Sequence, residues 1–146
     1  MWSYGAGRGL GRRRFMGPSP QWIGQMPELP PPQSGSLRVV VSTDNDKGLE
    51  APVSFRFARA PYLTVVDIDN GKVVNVQSIS NSLASGMRGV GVGVGQWIIS
   101  IGAKAVVAPH LGPNIQMVLK QANIITYIVP YGIKVIDALK RVGLVS

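Results

Sequence analysis

Arg88 stands directly before Gly89, Gly91 and Gly93, and the apolar residues that follow, Val90, Val94, Trp97, Ile98 and Ile101, recur at helical spacing. A guanidinium at a glycine-rich helix start suits an anion, because unshielded backbone amides and the positive end of the helix dipole reinforce its charge. The competing account is that small residues let this helix approach the sheet closely, and the two are compatible. The glycine spacing fits neither G-x-G-x-x-G nor a Walker loop, so no dinucleotide or ATP site is expected. Arg56 and Arg59 flank Phe57 in a second basic stretch. They can clamp an anion through charge-assisted hydrogen bonds or be two solvated arginines. Ser54, just upstream, either donates to a ligand or stabilises a turn. His110 is the sole histidine and lies two residues before Gly112-Pro113-Asn114. As a metal ligand it would need partners, and otherwise it is a polar loop residue. Asn114 either contacts a ligand or caps and braces its turn.

Other chemistries are excluded by composition. The chain has no cysteine, so disulfides, thiolate zinc sites, cysteine-held iron-sulfur clusters and cysteine nucleophiles are all absent. Asp44, Asp67, Asp69 and Asp137 lack the spacing that would gather several acids around metal ions for nuclease chemistry. No serine, histidine and acid set supports hydrolysis either. A non-enzymatic role is therefore expected.

These residues must be positioned by a modest fold. From Leu37 onward Val, Ile, Leu and Ala recur in periodic blocks, which leaves about 110 residues, enough for one core. Leu37 to Thr43 reads as a buried strand ended by the polar loop Asp44 to Gly48. Tyr62 to Ile68 and Val73 to Ile79 read as a hairpin whose turn contains Asn70-Gly71, a pair that tolerates the positive φ of a tight turn. A helix between Gly89 and Gly102, a strand over Lys104 to Ala108, a helix opened by Pro113, a strand over Ile124 to Val129 and a helix from about Gly132 complete the pattern. The order β-β-β-α-β-α-β-α implies an α/β fold with a mixed five-stranded sheet and helices on both faces.

Ahead of this domain (37–146), residues 1–36 are built from Gly, Arg, Pro, Gln and Ser with scattered aromatics. Such a composition buries too little apolar surface to offset ordering entropy, so a disordered basic arm is expected. Arg12-Arg13-Arg14 is followed by Gly17-Pro18-Ser19-Pro20 rather than an apolar run, which argues against an export signal. The uncharged stretch Gly89 to Ala103 is shorter than the roughly 20 residues needed to cross a bilayer, so no membrane association and a cytoplasmic location are expected. The formal charge of +8 favours anionic partners. Nucleic acid is one such class: Arg8, Arg12, Arg13 and Arg14, with Trp2, Tyr4, Phe15 and Trp22 nearby, form a mixture able to contact phosphates and stack on bases.

Several separated blocks carry a family resemblance: Val41-Ser42-Thr43-Asp44 with Lys47-Gly48-Leu49; Pro52-Val53-Ser54 with Phe57 and Arg59-Ala60-Pro61-Tyr62; Val65-Val66-Asp67-Ile68; the Asn81 loop leading into Gly89, Gly91 and Gly93; and Gly112-Pro113-Asn114. Over residues 37–142 the chain resembles the nitrogenase iron-molybdenum cofactor biosynthesis domain family, which contains NifX-like proteins and the C-terminal part of NifB. The resemblance implies an RNase H-like fold and non-enzymatic binding of a metal cluster or its precursor. It also implies a ligand cleft between the loop before the second strand, the glycine-rich loop and the Gly-Pro-Asn loop. That cleft would gather Ser54, Arg56, Phe57, Arg59, Arg88, Gly89, Gly91, Gly93, His110, Gly112 and Asn114.

The chain departs from the family where histidines are common, with Arg56 and Arg88 in their places. Arginine lacks a free lone pair and cannot ligate a metal as neutral imidazole does. The expected ligand is therefore an anionic iron-molybdenum-type cluster, molybdate or another oxyanion, or a phosphate-containing molecule, held without cysteine ligation. The alternative is an RNA- or ribosome-associated protein in which the arm supplies affinity and the domain is a scaffold. Sequence leaves the oligomeric state open.

Overall fold

The computed structural model describes residues 26–146, and the arginines Arg8, Arg12, Arg13 and Arg14 lie outside the described residues. Five strands form one mixed sheet: β1 (Leu37–Thr43), β2 (Tyr62–Asp69), β3 (Lys72–Ser80), β4 (Ala105–Ala108) and β5 (Ile125–Ile128), in spatial order β3-β2-β1-β4-β5. The β1-β2 and β2-β3 pairs are antiparallel, whereas β1-β4 and β4-β5 are parallel. Helices α1 (Val90–Ser100), α2 (Pro113–Gln121) and α3 (Val135–Arg141) follow β3, β4 and β5 respectively. The expected α/β architecture is thus observed.

Alternation along the central strands divides the core into two layers, since successive side chains leave opposite faces of a strand. Val40, Leu63, Val65, Val106 and Ala108 pack with α1 and α2, while Val39, Val41, Val66, Ile68, Ala105 and Val107 pack with α3. This double burial explains why β4 reads as a continuous apolar run and β1 as a largely β-branched one rather than as alternating strands. The expected hairpin forms with Asn70 at φ 52° and Gly71 at φ 76°, and a bulge shifts the register at Asp67/Ile68.

Two boundaries differ from the sequence reading. The last helix begins at Val135, not near Gly132, because Gly132 turns at φ 88° and the backbone of residues 132–135 bonds to residues 51–53, with Lys134 bridged to Pro52. Val53 N donates to Ile133 O, Gly132 N to Val53 O and Val135 N to Ala51 O, so the backbone groups that would open a helix are already used. Nearby, Lys134 bonds Glu50 at 2.9 Å, and this hydrogen bond raises the ammonium above its ordinary value.

The second difference concerns residues 26–36, which composition assigns to the arm. They pack on the domain as a strap: Met26 is buried in the α1/α2 layer and Leu29 lies against it. Trp97 Nε1 donates to Pro27 O at 2.8 Å, and Arg38 Nη1 donates to Pro30 O at 2.7 Å. The few apolar residues among the prolines find a surface that the domain provides, which composition alone does not reveal.

The glycines of α1 serve helix contact. A methyl group on Gly95 would stand 2.8 Å from Val118 Cγ1 and 3.1 Å from its Cβ, so this glycine lets α1 approach α2 closely. Val118 is β-branched and stiff. Gly95→Ala is therefore expected to destabilise the protein by roughly 1–3 kcal/mol through overpacking, partly offset by a gain in helix propensity of about 1 kcal/mol. Chemical denaturation would check this, with Val118→Ala in the same chain restoring part of the loss.

Candidate anion-binding cleft

The loop after β1, the loop after β3 and the loop after β4 meet at one end of the sheet. Two side chains hold the first two loops together. Asn81 Nδ2 donates to Ala58 O at 2.8 Å and Ala60 O at 2.9 Å, and Asn81 Oδ1 accepts from Leu83 N. Arg59 Nη1 donates to Ala84 O at 2.9 Å and Gly86 O at 2.8 Å. Arg59 therefore positions the segment that carries Arg88, a role its sequence context does not announce.

Beyond that segment the chain turns through Gly89, at φ 74°, into α1. A side chain is strained in this conformation, so glycine fits the turn. Gly93 N makes the first bond of the helix, to Gly89 O at 2.8 Å, which leaves the amides of residues 90–92 without intrahelical acceptors. Across from it α2 begins at Pro113 behind Gly112, and Gln116 N bonds Gly112 O. The two helix starts nearly touch: a methyl on Gly91 would lie 3.4 Å from Ile115 N and 3.6 Å from Asn114 Cβ. Neither start has a side-chain cap, and neither has an acidic residue in its first turn. Their positive ends are therefore not neutralised locally.

Between them lies a cleft of about 360 Å³ lined by Ala58, Arg59, Arg88, Gly89, Val90, Gly91, Gly112, Pro113, Asn114 and Ile115. Two larger depressions do not have this chemistry. One, of about 410 Å³, contains Arg38, but that guanidinium is already committed to Asp67, Pro30 O and Ile101 O. The other, of about 580 Å³, lies between α2 and β5 and is lined chiefly by neutral side chains.

Of the residues expected to converge, Arg59, Arg88, Gly89, Gly91, Gly112 and Asn114 line the cleft. Five others are placed differently. Phe57 is buried in the α1/α2 layer, where its ring is a core side chain. Ser54 is buried at the end of β1, its backbone N bonded to Ser42 O and its carbonyl accepting from Ser42 Oγ. Gly93 is buried in the helix and its amide is spent on Gly89 O, so it offers no donor. Arg56 is exposed and is not a lining residue.

His110 also stands apart from the lining. Its ring stacks on Phe55 with centroids 6.1 Å apart, and Phe55 meets Tyr131 edge-on at 5.6 Å. Phe55 and Tyr131 were not singled out by sequence, because residues 55, 110 and 131 come together only when three loops assemble. Among the described residues no group of three His, Cys, Asp or Glu side chains could hold a metal ion. The donors present thus do not fit inner-sphere coordination of a cluster, whereas guanidinium and free amides fit an anion's outer oxygen or sulfur atoms.

Comparison with known proteins agrees with the fold. The model of the family described as dinitrogenase iron-molybdenum cofactor matches residues 37–143. An uncharacterized protein of Methanocaldococcus jannaschii is 30% identical over 91 residues, covering 62% of this chain and 73% of the relative. The NMR structure of a candidate NifB protein from Thermotoga is 32% identical, with a TM-score of 0.60, covering 73% of this chain and 86% of that one. The apo form of the orange protein from Desulfovibrio gigas shares the fold at 24% identity and a TM-score of 0.64, covering 72% and 85% of the two chains. Among the described residues no helix is long and apolar enough to cross a membrane.

Proposed function

Given that the chain belongs to the dinitrogenase iron-molybdenum cofactor family, we propose that it is a non-catalytic binding protein whose cargo is an anionic metal cluster or an oxyanion such as molybdate. The observation that carries this reading is the convergence of Arg59, Arg88 and two uncapped helix starts on one cleft. A cargo anion there would accept charge-assisted hydrogen bonds from Arg88 and from the free amides near Gly91 and Ile115. Arg59, with one nitrogen holding the Ala84 and Gly86 carbonyls, contributes charge while fixing the loop. The protein would grip the periphery of the cargo, not replace the ligands of its metal.

Molybdate is the simplest probe. It is expected to raise the thermal midpoint of the full chain, and Arg88→Ala is expected to weaken its binding about tenfold or more, the loss of one charge-assisted contact of about 1.5–3 kcal/mol. Because Arg88 is exposed and makes no core contact, the unliganded variant should keep the parent's stability. A midpoint insensitive to molybdate, or equal responses in parent and variant, would remove support for an oxyanion in this cleft.

A further inference from the structure

The outer edge of the sheet at β5 carries an inference independent of the cleft. Among the described residues β5 has one strand neighbour, β4. Ile125 N donates to Lys104 O at 3.0 Å and Val129 N to Ala108 O at 3.2 Å. Alternation along the strand then turns the amides and carbonyls of Thr126 and Ile128 outward. The side chains along this edge are unusually apolar for a surface: Ile125 is 56% exposed, Ile128 62%, and Met117 on the adjoining helix 54%. Ile125 and Ile128 border the groove of about 580 Å³ between α2 and β5, whose lining is neutral except for Lys120.

Natural sheet edges are usually blunted by charge, proline or a bulge. The opposite edge, β3, has Lys72 and the register shift near Asp67. Within β5 there is no charge, proline or bulge; Pro130 lies just past its end, and Lys120 is the one charged residue lining the groove beside it. From Gln121 to Ile133 there is no charged residue, in a chain whose formal charge is +8. This neutrality selects the occupant. An acidic peptide or a nucleic acid would be drawn to the chain's cations, whereas a second copy, equally basic, can approach closely only where charge is missing.

We propose that β5 pairs antiparallel with β5 of a second copy about a two-fold axis through Tyr127, joining two five-stranded sheets. The register follows from the outward groups. Thr126 of each copy stands opposite Ile128 of the other, and each such pair exchanges both backbone hydrogen bonds. Ile128 then packs against Thr126 of the second copy on the α2 face, with the two Ile128 side chains diagonal across the axis, and Ile125 faces Val129 of the second copy on the α3 face.

Sedimentation equilibrium of the full chain tests the pairing. The parent is expected to sediment at twice its 15.6 kDa mass. Ile128→Lys places like charges across the axis, and Thr126→Pro deletes an outward amide without touching the β4 ladder. Each is expected to raise the dissociation constant at least about tenfold, with circular dichroism reporting an intact fold. Ile128→Lys, at a side chain already 62% exposed, carries the test alone if the proline variant does not fold. A parent that is monomeric at about 100 µM, or a dimer retained by a folded variant of either kind, overturns the proposal.

Discussion

Arg38→Met is expected to cost about 3–5 kcal/mol of folding stability, because it leaves the Asp67 carboxylate buried without its counter-ion. Arg38 is 2% exposed, yet its guanidinium is fully engaged. Nε and Nη2 reach the Asp67 carboxylate at 2.8 and 3.0 Å, and Nη1 reaches Pro30 O and Ile101 O at 2.7 Å each. One side chain therefore links β1 to β2, to the end of α1 and to the strap. A domain of this size has a total stability of roughly 5–15 kcal/mol, so the variant should be marginal in urea denaturation. The double variant Arg38→Met/Asp67→Leu should recover much of the loss, since a buried pair replaced by apolar side chains is often neutral. It should not recover all of it, because the Ile101 carbonyl remains without its donor. Recovery to or above the parent would show that the strap and helix contacts contribute little.

Trp97→Ala is the other change with a large expected effect, about 3–5 kcal/mol from the void left by a large aromatic side chain. Trp97 is 1% exposed and sits where α1, the sheet and Met26 meet. Trp97→Phe separates the packing from the hydrogen bond. It keeps most of the ring contact but removes the donor to Pro27 O, a net loss nearer 0.5–1.5 kcal/mol. If the strap is held as described, the phenylalanine variant should also be cleaved faster by protease within residues 26–36 than the parent. Equal cleavage of the two would mean that the tryptophan contact does not hold the strap.

Much of the fold was legible because its signals are local. Asn70-Gly71 identifies the hairpin turn, Pro113 opens α2, and Gly102 at φ 78° closes α1. The glycine-rich start of α1 presents two competing periods, and the helical one prevails because Val94, Trp97, Ile98 and Ile101 all reach the α1/α2 layer. What was not legible depends on distant partners. Residues 132–134 stay out of the helix because residues 51–53 lie beside them, and the strap packs because Trp97 and Arg38 meet its carbonyls while Met26 and Leu29 reach the core.

The cleft shows the same division. Arg88 and its glycines announce an anion-suited helix start from sequence, as Gly112-Pro113-Asn114 does for the helix opposite. Phe57 is indistinguishable in sequence from an aromatic that lines a site, and only its burial assigns it to the core. Arg59 looks like a second free cation until its bonds to Ala84 O and Gly86 O appear. Sequence spacing names the residue types near a site, but not which of them a fold consumes for its own support.

Native mass spectrometry of the chain purified from its source cells tests the central claim most directly, because it weighs protein and cargo together. A bound species, metal-containing by elemental analysis, is expected on the parent protein, with its loss or strong depletion on Arg88→Ala purified in parallel. A parent without any such species, or a species of equal occupancy on both proteins, would contradict a cleft that holds its cargo through Arg88.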